Sequence, residues 1–165
     1  MRYLAIIWGL GGVFLFIGSA VYRLTPNALE AMQGELTSMQ WAVAIVWTLF
    51  MLVSEGYRGF QKQFSPRVVA RSKYLSANPK PVHVLFAPFF CMAFFHATKK
   101  RKIVTWCLTL GIVMLIVLVR QLEQPWRGIV DLGVVLGLVY GLVWIAIFAV
   151  QCYSGRKFDV DPEVS

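Results

Sequence analysis

Four long apolar runs constrain this chain more than any other feature: Tyr3 to Tyr22, Met39 to Glu55, Ile103 to Val119 and Ile129 to Gln151. A helix needs about 20 mostly apolar residues to cross a bilayer, within a range of roughly 17–25. All four runs qualify, the second and third near the lower limit. Tyr3, Tyr22, Trp41, Tyr57, Trp106, Trp126 and Tyr153 lie at or near their ends, where amphipathic rings favour the membrane–water interface. The expected fold is therefore an all-α integral membrane protein, with residues 1–155 as one polytopic domain and 156–165 as a polar, frayed tail. The first run also admits a signal-peptide reading, with Arg2 before it and Gly18-Ser19-Ala20 as a cleavage candidate, but it is long for such a segment.

Charge sets the orientation. The net charge is +8, and the cations cluster in the connectors rather than in one polar arm. That pattern predicts membrane orientation and excludes nucleic acid as the expected partner. Residues 56–80 hold Arg58, Lys62, Arg67, Arg71, Lys73 and Lys80 without an acid, and residues 99–102 are four consecutive cations. Between them lies PVHVLFAPFFCMAFFHAT, an apolar piece with Pro88 inside it.

Whether residues 82–97 span or re-enter decides the topology. If they span, lysines and arginines divide nine inside against seven outside. If they re-enter, the division is 13 against three. Orientation follows the Lys/Arg bias of short loops, so the re-entrant arrangement is favoured: four spans, one re-entrant or short membrane segment, and both termini cytoplasmic. Pro88 agrees, because proline removes an amide donor and breaks or kinks a helix. A broken backbone in the membrane must be satisfied by protein or water, so the other helices are expected to wrap this segment. A fifth span is the alternative.

The candidate chemistry is sparse. His83 and His96 are thirteen residues apart. On one continuous helix they would stand about 20 Å apart, which rules out a shared metal unless Pro88 folds them together. No metal and no cofactor are expected. Cys91, Cys107 and Cys152 read as small apolar residues without a CxxC pair. Glu55 closes the second run and has Arg58 three residues on as an ion-pair partner. Ser65 and Pro66 suit the start of an interfacial helix, with Val68, Val69, Ser72 and Leu75 on its apolar face and Arg67 and Arg71 on others. Asp131 is expected to pair with Arg120 or Arg127 near the turn at Pro125. Gly133, Gly137 and Gly141 form a GxxxGxxxG stripe that admits a close helix backbone. Gly11 and Gly18 suggest the first helix as its partner.

These features favour a non-catalytic subunit, scaffold or accessory factor of the inner membrane, packing with another membrane protein or with itself. The alternative is a membrane-interface enzyme or carrier for an anionic lipid or other amphiphile. There His96, Glu55 and Tyr57 would be the catalytic candidates, and Arg58, Arg67, Arg71, Lys99, Lys100 and Arg101 would hold the headgroup. No charged residue lies at the middle of any span, which weakens a channel or transporter reading.

Overall fold

The computed structural model describes residues 2–155 and 158–164. Arg156 and Lys157, both counted in the charge balance, lie outside the described residues. The elements are α1 (Arg2–Gln33), α2 (Ser38–Met51), a π-helical stretch π1 (Leu52–Phe64), α3 (Ser65–Ala77), α4 (Pro81–Leu85), α5 (Ala87–Cys91), α6 (Lys99–Val119) and α7 (Trp126–Tyr153). Among the described residues, four helices are long and apolar enough to cross a membrane: Tyr3–Gln33, Ser38–Ala77, Lys99–Val119 and Trp126–Tyr153.

Two of these run further than their apolar patterns suggest. The first continues past Tyr22 and through Pro26 to Gln33. Packing carries it through. Gly128 of α7 lies directly against the Asn27 carbonyl and the Ala31 methyl. Asn27 Nδ2 donates to Asp131 Oδ2 at 2.9 Å. The Asp131 carboxylate is thus taken by α1, not by the arginines of the adjoining turn.

The second helix does not stop at Glu55. Residues 38–77 form one continuous path, opened by a capping box at Thr37 and Gln40. The expected interfacial helix over 65–77 is instead the most buried part of the bundle. Val68, Val69, Arg71, Ser72 and Leu75 are all within about 1% of full burial. Ser65 does not cap a helix start. Its backbone is already helical, and its hydroxyl donates to the Gly141 carbonyl of α7 at 3.4 Å. The π register ends where Pro66 enters.

The core joins α1, α3 and α7. Leu10, Val13 and Ile17 of α1 meet Val68 and Val69 of α3 and Ile145 and Cys152 of α7, with Cys91 closing the cluster. Ala5, Leu75, Ala87 and Phe90 form a second cluster beside it. The stripe Gly133–Gly137–Gly141 is used, but by π1 and α2 rather than by Gly11 and Gly18. A β-carbon at Gly133 would sit 2.7 Å from the Trp47 ring, and one at Gly141 would overlap the Phe60 ring. Glu55 fills the place opposite Gly137. Gly11 and Gly18 face open space. The first helix's close approaches fall instead at Gly9, against Ala87 and Cys91, and at Gly12, against Pro88.

Helix α6 stands apart. None of its residues is buried, and it makes no extended interface with another helix.

Gly141→Ala should lower thermal stability in detergent by about 1–3 kcal/mol, the usual cost of overpacking. Gly11→Ala should cost nothing, since no atom meets the added methyl. Equal losses from both would disprove this assignment of the stripe.

Candidate functional site

Residues 81–98 do not form one helix. Two five-residue helices, α4 and α5, are followed by a turn in which Ala93 (φ 65°) and His96 (φ 46°) adopt left-handed backbone. Each short helix is about 7.5 Å long, far from the roughly 30 Å of a bilayer core. The segment doubles back, and the rings of His83 at its start and His96 at its end lie 4.3 Å apart. The turn after Cys91, rather than Pro88 inside α5, therefore folds the histidines together, and the 20 Å separation of a straight helix does not apply.

Breaking the backbone leaves carbonyls without helical partners. Arg71 of α3 supplies them. Its Nε donates to the Phe90 carbonyl at 2.6 Å, and its Nη2 to those of Phe95 and His96, each at 3.0 Å. Its Nη1 donates to the Pro162 carbonyl at 2.9 Å and the Glu163 carbonyl at 3.4 Å. The guanidinium also lies 4.4 Å above the Phe90 ring, a favourable cation–π placement. Arg71 is 1% exposed. It ties the broken segment to the C-terminal tail. Its position was readable, since it lies three residues after Val68 and four before Leu75, beside the apolar stripe. Its partners were not readable.

The tail is ordered rather than frayed over 158–164. Phe158 packs on Phe148 of α7, and Val164 on the cluster around Phe90. The Glu163 carboxylate is gripped by Arg101, with Nε to Oε2 at 2.5 Å and Nη2 to Oε1 at 3.2 Å. Arg67 approaches it at 3.8 Å. The Glu163 carbonyl also accepts from the Thr98 amide at 3.2 Å. Three of the six cationic candidates thus converge on one residue of the chain's own tail. Arg58, Lys99 and Lys100 remain exposed and outside this cluster.

The remaining candidates do not assemble. Glu55 lies against Gly137 and makes no ion pair with Arg58, because the π register removes the i, i+3 alignment of an α-helix. Tyr57 is exposed, with the Lys62 ammonium 4.5 Å from its ring centre. His96 faces His83. Two open hollows, one lined by Ala146, Ile147, Val150, Gln151 and Ser154 and the other by Trp41, Ala44, Ile45, Thr48, Leu49 and Leu132, take in none of Glu55, Tyr57 and His96. No group of three or more His, Cys, Asp or Glu side chains suited to a metal occurs among the described residues. This chain matches no family model, no curated protein and no solved structure.

His83 is buried against Phe90 at 5.2 Å. Burial, then the nearby His96 and Lys80, hold its imidazole below the usual range. The stabilisation from neutral His83 is complete above the unfolded value of about 6.5 and is lost as pH falls from there through the folded value. The melting temperature in detergent should therefore drop on acidification from about pH 7.5 to 5, and His83→Phe should flatten that drop. An unchanged pH profile in the variant would refute the assignment.

Arg71→Lys keeps the charge but loses the fork that reaches several carbonyls at once. It should destabilise the chain by roughly 2–3 kcal/mol through carbonyls left unsatisfied. In a Cys107→Ser background, faster labelling of buried Cys91 by a thiol reagent would report the loosening. Arg67→Lys should change stability by less than about 1 kcal/mol, as a partly exposed ion pair.

Proposed function

We propose that this chain is a small multi-pass scaffold or accessory subunit of the inner membrane, and that α6 is the element it offers to a membrane-protein partner or to a second copy of itself. The observation that carries the reading is the isolation of α6. It is 21 residues long, predominantly apolar on every side beyond its four N-terminal cations, and has no buried residue. Its ties to the rest of the chain gather at its N-terminal end, through the Thr98 amide, Arg101 and the contact of Trp106 with Phe94. Membrane helices associate through close packing rather than through a hydrophobic drive, and α6 leaves all of its packing surface unused. Cys107 and Gly111 lie one turn apart on it, a small-xxx-small pair that permits close approach.

The enzyme or carrier reading needs Glu55, Tyr57 and His96 around one cavity, and it loses support because neither described hollow takes in any of them. For topology we propose four spans, with 81–98 dipping into the membrane and returning, and both termini in the cytoplasm. The Lys/Arg bias and the close approach of His83 to His96 support that arrangement.

Cys107 is an exposed thiol, while Cys91 and Cys152 are buried. A photoactivatable cross-linker attached to Cys107 in native membranes should therefore report what lies beside α6. The expected result is one discrete product, at twice 18.7 kDa for a self-pair or at another fixed mass for a partner. Gly111→Leu should abolish it. Cross-linking to lipid alone would overturn the proposal.

A further inference from the structure

From Gly56 to Lys102 the chain holds ten lysines and arginines and no acid. Among the described residues, the ion pairs are those that Arg67 and Arg101 make with Glu163. That carboxylate comes from the far end of the sequence, more than sixty residues after Arg101. It is held as a ligand would be: Arg101 grips both oxygens, Arg67 stands beside it, and Arg71 reaches the backbone carbonyls of Pro162 and Glu163 through Nη1. Arginine's planar fork suits phosphate as well as carboxylate. The first turn of α6 begins at the same place, and the free amides of a helix start favour an anion.

The tail over 158–164 is not itself helical, and its attachments among the described residues are the Glu163 carboxylate, two carbonyls and the side chains of Phe158 and Val164. Glu163 itself has a left-handed backbone (φ 47°), a conformation that costs a non-glycine residue about 1 kcal/mol or more.

We propose that Arg67, Arg71 and Arg101 form a binding site for a phosphate-bearing anion at the basic face of the protein, and that Glu163 occupies it as an internal, displaceable ligand. An incoming phosphate takes the Arg101 fork and the Arg67 contact. Release of the tail then frees Arg71 Nη1 for the same ligand, while Nε and Nη2 keep the broken segment in place.

The test uses the full chain in nanodiscs, with Val164→Cys in a Cys107→Ser background. Labelling by a membrane-impermeant maleimide reports tail release. In phosphatidylcholine discs labelling should be slow, and phosphatidylglycerol should speed it about fivefold, the factor expected for the loss of an ion pair near 1 kcal/mol. Inorganic phosphate added to phosphatidylcholine discs separates the sources. If phosphate alone speeds labelling, the ligand is a soluble anion, and if only phosphatidylglycerol does, it is a lipid headgroup. No acceleration by either overturns the proposal. Glu163→Gln should label fast in phosphatidylcholine and respond no further, and slow labelling there would also overturn it. Native mass spectrometry gives a second readout. Glu163→Gln should retain more of the effective anion than the parent, and adding Arg101→Gln should remove that gain. Equal retention in the single and double variants rules out the arginine site.

Discussion

The fold depends on one buried cation. The chain leaves the helix after Cys91, and the carbonyls of that end and turn lie in an apolar setting where each unmet one is costly. Arg71 answers three of them, at Phe90, Phe95 and His96, and two more in the C-terminal tail, all from a single side chain. Its position on α3 follows from the burial of Val68, Val69 and Leu75 around it. The same guanidinium covers the face of Phe90, whose ring also meets His83, Tyr74 and Phe95. The doubled-back segment, the end of α3 and the tail are thus joined at one point.

Around that point the remaining architecture is close backbone packing. Glycines and alanines allow it: Gly9 and Gly12 receive the short helices, Gly128 receives α1, and the α7 stripe receives α2 and π1. Polar groups inside this packing are mostly matched locally. Asn27 bonds Asp131, Tyr140 donates to Gln61, and Ser72 shares a hydrogen bond with Tyr153. Trp8 and Trp47 each donate to a carbonyl on a neighbouring element. Such pairing is the requirement for burying polar atoms at low cost. Against this, α6 with its bare apolar surface is the exception that motivates a role in assembly.

The membrane class, the four long apolar helices and the interruption near Pro88 were legible because they follow from composition and short-range chemistry. The special character of the glycine stripe was legible for the same reason, but its partner was not. Choosing between α1 and α2 requires knowing which side chains fill the gap, and Trp47 and Phe60 are not marked for that task by their neighbours in sequence. The reach of the second helix was also missed. Its inner half looks basic and polar, and only contact with α1, α5 and α7 makes that half a core.

The sequence by itself determined what this protein can live in and that the segment around Pro88 must break, because run length, charge bias and proline act locally. Tertiary structure alone decided what each charge does. Arg71 becomes a carbonyl anchor and Arg101 a clamp on Glu163, because partners 19 to 92 residues away are brought within hydrogen-bond reach. A charged side chain has the same chemistry on a solvated face as inside a bundle. Its role is set by what folding places beside it.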